Sequence, residues 1–320
     1  MKTFKENHEQ KINGRTGQNL QNVISYIGLA FVLVLFAILT QGKSVKIANI
    51  QRILLQSVLL IIGSVGATFT IAHGHLDFSL GGIMGMSVAL GGLVGTWIPA
   101  LTIPAVIAVA VIAEVLVVLI HIALNIPSFI VSLAMMFITK GILIGVTQTV
   151  PVGLNAMYAG WDKPIVYFIV LVVVLIASFI LFEFTKIGKF NKAIGSNFVA
   201  AATNGVPVNL YKILAFIVSG VALGISAFLN FVRAGGVSAT TGAGYEINVL
   251  IALVLGGTSL TGGTSVKMRG AIIGCLILTV LENGLVILGI QPAMMGLIKG
   301  VLFLTAIALA YDRKTGQIIA

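Results

Sequence analysis

The chain is poor in charge. Asp, Glu, Lys and Arg make up 9% of its 320 residues, against 58% hydrophobic residues. A mean hydropathy of +1.11 excludes a soluble globular domain. Carboxylates are scarcest, nine against nineteen basic residues. One cysteine, Cys275, lies in an apolar run, so no disulfide framework or thiolate metal site can form. No Walker A motif, metal-ligand spacing or nucleophile–base set occurs. Gly257 and Gly262 have the spacing of a phosphate loop, but Gly263 stands where lysine is required and no strand precedes it. His73 and His75 are two apart and would diverge on a helix, and His121 stands alone, so metal binding is not expected. The basic excess is not interleaved with aromatics as in a nucleic-acid patch. It reads as a topology and anionic-lipid signal.

Long apolar runs are what the chain has. A span needs about 20 mostly apolar residues, and ten fit: 24–40, 53–72, 79–98, 103–124, 128–146, 164–182, 211–231, 247–261, 270–289 and 293–311. An even number puts both termini on one side. Assigning that side to the cytoplasm gathers Lys2, Lys5, Lys11, Arg15, Lys186, Lys189, Lys192, Lys212, Lys267, Arg269, Arg313 and Lys314, and leaves Lys43, Lys46, Arg52, Lys163 and Arg233 outside. The expected fold is an all-α integral membrane protein of about ten transmembrane helices, N-in and C-in. Its tails cover 1–22 and 315–320, and its transmembrane domain covers 23–314. The first span lacks a small-residue cleavage site and reads as a retained anchor. Glycines four apart (Gly81/Gly85, Gly91/Gly95, Gly141/Gly145, Gly220/Gly224, Gly270/Gly274) predict close helix approach.

Two passages repeat. Met135-Met136, three residues, then Lys140-Gly141 recurs as Met294-Met295, three residues, then Lys299-Gly300, each passage lying past a proline, Pro127 or Pro292, that marks a helix start. They fall on the fifth and tenth spans, an odd separation. This predicts an inverted repeat of helices 2–5 and 7–10, an arrangement of transporters. Glycine-rich breaks at 72–82 and 256–263 would interrupt helices where a pathway could pass. Asp77, Glu114 and Glu282 lie in or near spans. They could form a cation relay, but three scattered carboxylates make no continuous one. A helix cap at Asp77 and partners for Lys140 or Lys299 are the favoured roles.

The one long polar island, 183–212, carries Lys186, Lys189, Lys192 and Lys212. Asn197 can cap a helix, Ala200 to Ala202 favour one, and Gly205 with Pro207 ends it. A short helix on a basic cytoplasmic loop (185–210) suits a handle worked by a cytosolic motor.

Four ordered motifs carry a family resemblance over about residues 50–314. They are Gly74-His75-Leu76-Asp77-Phe78-Ser79-Leu80-Gly81, Asn125-Ile126-Pro127-Ser128-Phe129, Ala193-Ile194-Gly195-Ser196-Asn197 through Gly205-Val206, and Val254-Leu255-Gly256-Gly257-Thr258-Ser259-Leu260-Thr261-Gly262-Gly263 with Glu282-Asn283-Gly284 beyond it. Together they resemble permease subunits of bacterial ABC importers of the ribose, xylose, galactoside and autoinducer type. His75 stands for a family Gly, Glu282 for an Asn, and Phe198-Val199 for a Pro and an acidic residue. The resemblance implies a multi-pass inner-membrane subunit, not itself an enzyme, that imports a monosaccharide-like solute, with nucleosides or an autoinducer as alternatives. An ion-coupled secondary transporter is the reading outside that class. It implies ATPase coupling through Gly195, Ser196, Asn197, Phe198, Ala200, Ala201, Thr203, Asn204 and Gly205. It implies a substrate path past Asp77, Ser79, Phe129, Thr258 and Ser259. The implied partners are a second permease, membrane lipid, a cytoplasmic ATPase that holds ATP and Mg in place of this chain, and an extracytoplasmic solute-binding protein at 146–163 and 232–247. No nucleic acid is implied.

Overall fold

The computed structural model describes residues 25–310. The helices are α1 (Ser25–Leu39), α2 (Ile47–Ala72), α3 (Leu80–Trp97), α4 (Thr102–Leu124), α5 (Ser128–Thr149), α6 (Pro164–Phe179), α7 (Lys186–Ser196), α8 (Phe198–Thr203), α9 (Val208–Ala234), α10 (Tyr245–Leu255), α11 (Met268–Ile287) and α12 (Pro292–Ala310). Seven of them, α2 to α6, α9 and α11, are long and apolar enough to cross a membrane. Shorter apolar helices cover Ser25–Leu39, Tyr245–Leu255 and Met294–Thr305. The protein is an all-α integral membrane protein. The terminal tails expected at 1–22 and 315–320 lie outside the described residues.

Each expected span holds a helix, with shifted ends. The expected span at 247–261 stops at Leu255, because Gly256 caps it and Gly257, Gly262 and Gly263 turn the chain at φ of +77°, +82° and +85°. The expected loop at 185–210 is an elbow of two helices, α7 and α8. Sequence reasoning missed α7, although Thr185 caps it by accepting from Ile187 N at 3.2 Å. Its lysines Lys186 and Lys189 are exposed, while Gly188, Asn191 and Ile194 are buried. One π-helical turn, Ile180–Phe184, leads into the elbow.

Burial sorts the helices. In α2, 83% of the most apolar stretch is inside the bundle, and in α6 only 22%, so α2 belongs to the core and α6 to the lipid-facing rim. Val65, Phe69, Ile83, Phe216, Leu223 and Leu278 are among the core side chains. The packing has an internal exchange. α2 lies on α9; α4 packs on α9 as α11 packs on α2; α3 packs on α4 and α5 as α10 packs on α11 and α12. Swapping α2 with α9, α3 with α10, α4 with α11 and α5 with α12 therefore maps packed pairs onto packed pairs, as two four-helix repeats require.

The paired lysines both find carboxylate partners, but on helices that the exchange does not relate. Lys140 of α5 meets Glu246 of α10 at 3.6 Å. Lys299 of α12 pairs with Glu282 of α11, and its Nζ donates to Asn248 Oδ1 of α10 at 3.0 Å. Glu282 thus takes the expected partner role, and Glu246 is a partner that sequence reasoning overlooked. Four of the five glycine pairs sit at close contacts. A Cβ on Gly220 would lie 2.7 Å from Val111 Cα, and one on Gly224 2.7 Å from Ile107 Cα. Gly141 and Gly145 are the exception, facing open space.

Candidate functional site

The elbow ends in a small apolar knob. Asn197 leaves the α7 helix in an extended conformation and its Oδ1 accepts from Ala200 N at 2.9 Å, which starts α8. α8 lasts six residues, to Thr203, and the chain then turns out through Gly205 at φ +78°. Phe198 and Val199 are 53% and 67% exposed on the knob, whereas Ala201 is buried beneath it. Thr203 and Asn204 turn back on the helix, each hydrogen-bonding the Ala200 carbonyl. The short helix expected between Asn197 and Gly205 is present, over Phe198–Thr203, and capped by the expected residue.

Below the knob lies a tight joint. Gly195 packs so closely on the end of α2 that a Cβ would stand 2.1 Å from the Ala72 carbonyl oxygen and 2.6 Å from Gly263 N. Gly263 N donates to that carbonyl at 2.8 Å, and Thr264 N donates to Ser196 Oγ at 3.2 Å. Gly74, just past α2, abuts Thr261 in the same way. One joint thus gathers the elbow, the 73–79 break and the 256–267 break.

Within the first break, Asp77 is 3% exposed. Its Oδ1 accepts from Ser79 N at 2.7 Å and from Ser79 Oγ at 2.5 Å, so it closes the turn before α3; the N-cap itself is Ser79, two residues beyond the cap expected at Asp77. The Glu114 carboxyl on α4 lies beside Asp77 and Ser219, a neighbourhood that sequence spacing did not reveal. Phe129 joins the same region indirectly, since Ser132 Oγ donates to its carbonyl at 3.0 Å and accepts from Phe78 N at 3.1 Å. Its own ring is 41% exposed. Thr258 and Ser259 sit in the second break, Thr258 buried next to Gly270 and Ser259 against Thr261 at 2.7 Å. Among the described residues no hydrogen bond links Thr258 or Ser259 to Asp77 or Ser79, so the expected path residues form two clusters.

The histidines overturn two expectations. α2 ends at Ala72 and Gly74 takes φ +83°, so His73 and His75 do not diverge: their Nδ1 atoms are 2.7 Å apart. His121 is not alone, for its Nε2 lies 2.8 Å from His75 Nε2 and 3.1 Å from Lys212 Nζ. A neutral tautomer set fits most of these distances. His121 Nδ1 donates to the Ile126 carbonyl at 2.6 Å, leaving the single Nε2 lone pair between the His75 and Lys212 donors, while His73 donates to His75 Nδ1 and its own Nε2 stays buried without a partner. Burial, then neighbouring charge, holds His75 down to about 3. Lys212 also lies over the Phe198 ring at 5.4 Å, which connects the chain to the knob. No group of three or more His, Cys, Asp or Glu among the described residues has the geometry of a metal site.

At the other end of the bundle, the expected outer segments are shorter than 146–163 and 232–247 because α5 runs to Thr149 and α9 to Ala234. They pair with each other: Leu154 N donates to the Gly235 carbonyl at 3.0 Å and Val237 N to that of Val152 at 2.9 Å.

Comparison with known proteins gives consistent matches. The Ribose import permease protein RbsC of Escherichia coli strain K12 is 29% identical over 93% of this chain and 97% of its own length. That of Bacillus subtilis strain 168 is 30% identical over 98% and 99%. The Xylose transport system permease protein XylH of Haemophilus influenzae is 26% identical over 92% and 97%. No solved structure matches. A protein-family model described as "Branched-chain amino acid transport system / permease component" matches residues 49–307, from α2 into α12, the whole body that carries both breaks and the elbow. With that body matched end to end, the chain belongs to this family of transport-system permease components.

Proposed function

We propose that this chain is the membrane-spanning subunit of an ATP-driven importer for a monosaccharide-like solute, ribose or a related sugar. The observation that carries the reading is the joint. An exposed apolar knob, Phe198 and Val199, follows directly on Gly195 and Ser196, which fasten it to both helix breaks. Exposed apolar side chains on a capped, projecting helix need a partner's pocket, and a cytoplasmic ATPase holding ATP and Mg supplies one. Closure of the ATPase would push α8. Thr264–Ser196 and the Gly195–Ala72 contact would pass the push to the breaks at Asp77 and Thr258, and the two repeats would rock past each other. The sugar class rests on the ribose and xylose permeases to which the chain is similar over nearly its full length.

The remaining partners follow from surfaces. The paired segments 150–163 and 235–244 would receive solute from a binding protein outside, with both termini inside. Among the described residues, none comes within 4 Å of the place a Cβ would take on Gly141 or Gly145 of α5 or on Gly296 or Gly300 of α12. Such open small-residue faces suit a second permease subunit. The test is reconstitution in liposomes with the neighbouring ATPase and binding protein, followed by uptake of labelled ribose, xylose, nucleoside or autoinducer. Sugar uptake that needs ATP and all partners supports the proposal. Uptake by the purified chain alone, driven by a proton gradient, would overturn it.

A further inference from the structure

Beside the elbow, α6 and the start of α11 stand apart around a groove of about 480 Å³. Its walls are apolar: Leu175 and Phe179 on one side, Met268 and Ile272 on the other. The wall continues onto the exposed face of α6, where Val172, Val173 and Ile176 face outward. Charge is confined to the lip, which carries Glu183, Lys267 and Arg269. Glu183 is already engaged by Lys192 at 2.9 Å. Lys267 and Arg269 have no ion pair within 4.0 Å among the described residues. Burial, and then the Arg269 charge beside it, pulls the Lys267 ammonium below its ordinary range. Two uncompensated cations at the mouth of an apolar groove, beside the first turn of α11, ask for an anion that carries an apolar chain.

We propose that this groove binds one anionic phospholipid of the leaflet on the elbow side. Its phosphate would rest on Lys267 and Arg269, and an acyl chain would lie along Leu175, Phe179, Met268 and Ile272. A free phosphate would satisfy the lip but make no use of the walls. A zwitterionic lipid would use the walls but leave net positive charge at the lip. Apolar contact within a bilayer gives little preference between lipids, so the preference must come from the two cations. The inference is independent of which solute is carried.

The full-length protein, purified in detergent, is exposed to phosphatidylglycerol or phosphatidylcholine in mixed micelles, and retained lipid is counted by native mass spectrometry. Phosphatidylglycerol should be retained in preference. Lys267→Gln with Arg269→Gln should reduce that preference on the order of tenfold, while Lys43→Gln with Lys46→Gln, equal in charge removed, should not. Ile272→Phe, which fills the groove and spares the lip, should lower retention of both lipids. Equal retention of the two lipids by the wild type would overturn the proposal. So would an unchanged preference in the lip variant, or displacement of the lipid by glycerol phosphate at equal concentration. If the lip variant instead lost only its association with the ATPase, the cations would belong to that interface and the proposal would fail.

Discussion

At the residue scale, the His73–His75–His121–Lys212 chain makes a pH signature. The fold keeps His75 neutral down to about 3, whereas an unfolded imidazole takes up its proton near 6.5. Between those values the unfolded chain binds more protons, so stability falls as pH falls through that window. Thermal melting in detergent at pH 7.5 and 5.5 should show the wild type losing stability on acidification. His75→Gln retains a donor and an acceptor but cannot charge, so it should lose less. An equal loss in both would assign the acid sensitivity elsewhere. None of this cluster was readable beforehand, because the residues are 2, 46 and 91 positions apart along their contacts and depend on α2 stopping at Ala72. By contrast, Asn197 as a cap was legible, since capping is a local matter of a few residues, whereas the cap expected at Asp77 fell two residues early.

At the scale of elements, the joint under the elbow rests on a missing side chain. Gly195 is helical and its φ is not positive, so alanine there would suit the helix itself. The new methyl would nonetheless press on Ala72 and Gly263 and strain the hydrogen bond between them. Gly195→Ala should therefore cost about 1–3 kcal/mol, the range of overpacking, read as a lowered melting midpoint. It should also weaken ATPase stimulation in the assembled transporter while membrane insertion stays intact. Full stimulation with a normal melting point would show that the joint transmits nothing. Lys192 does not belong to the free basic surface of the elbow, because it is held by Glu183 and lies 4.2 Å from the Phe182 ring centroid. The basic island was legible as a whole; which of its lysines are engaged was not, since Glu183 precedes the elbow on a π turn that no sequence periodicity announces.

At the scale of the molecule, hydropathy located the spans and the Met-Met…Lys-Gly recurrence pointed to the exchange of helices seen in the packing. Long apolar segments betray themselves one at a time; partners across the bundle, such as Glu246 for Lys140, do not. The proposed orientation can be read chemically. Cys275, the chain's single cysteine, is buried, so labelling of the native protein should be faint. A cysteine at the exposed Thr240 should react with an impermeant maleimide added to intact cells, and one at the exposed Lys189 only after the membrane is opened. The reverse pattern would invert the topology.

α10 has 11 residues, a rod of about 16 Å at 1.5 Å per residue, roughly half the hydrocarbon thickness of a bilayer. It is buried along most of its length, so membrane thickness cannot act on it directly, while the rim helices α5 and α6 must match the lipid around them. A thicker bilayer would tilt or slide those helices against a rod of fixed length. The Lys140–Glu246 contact, which joins a rim helix to that rod, is where such a mismatch would be felt first.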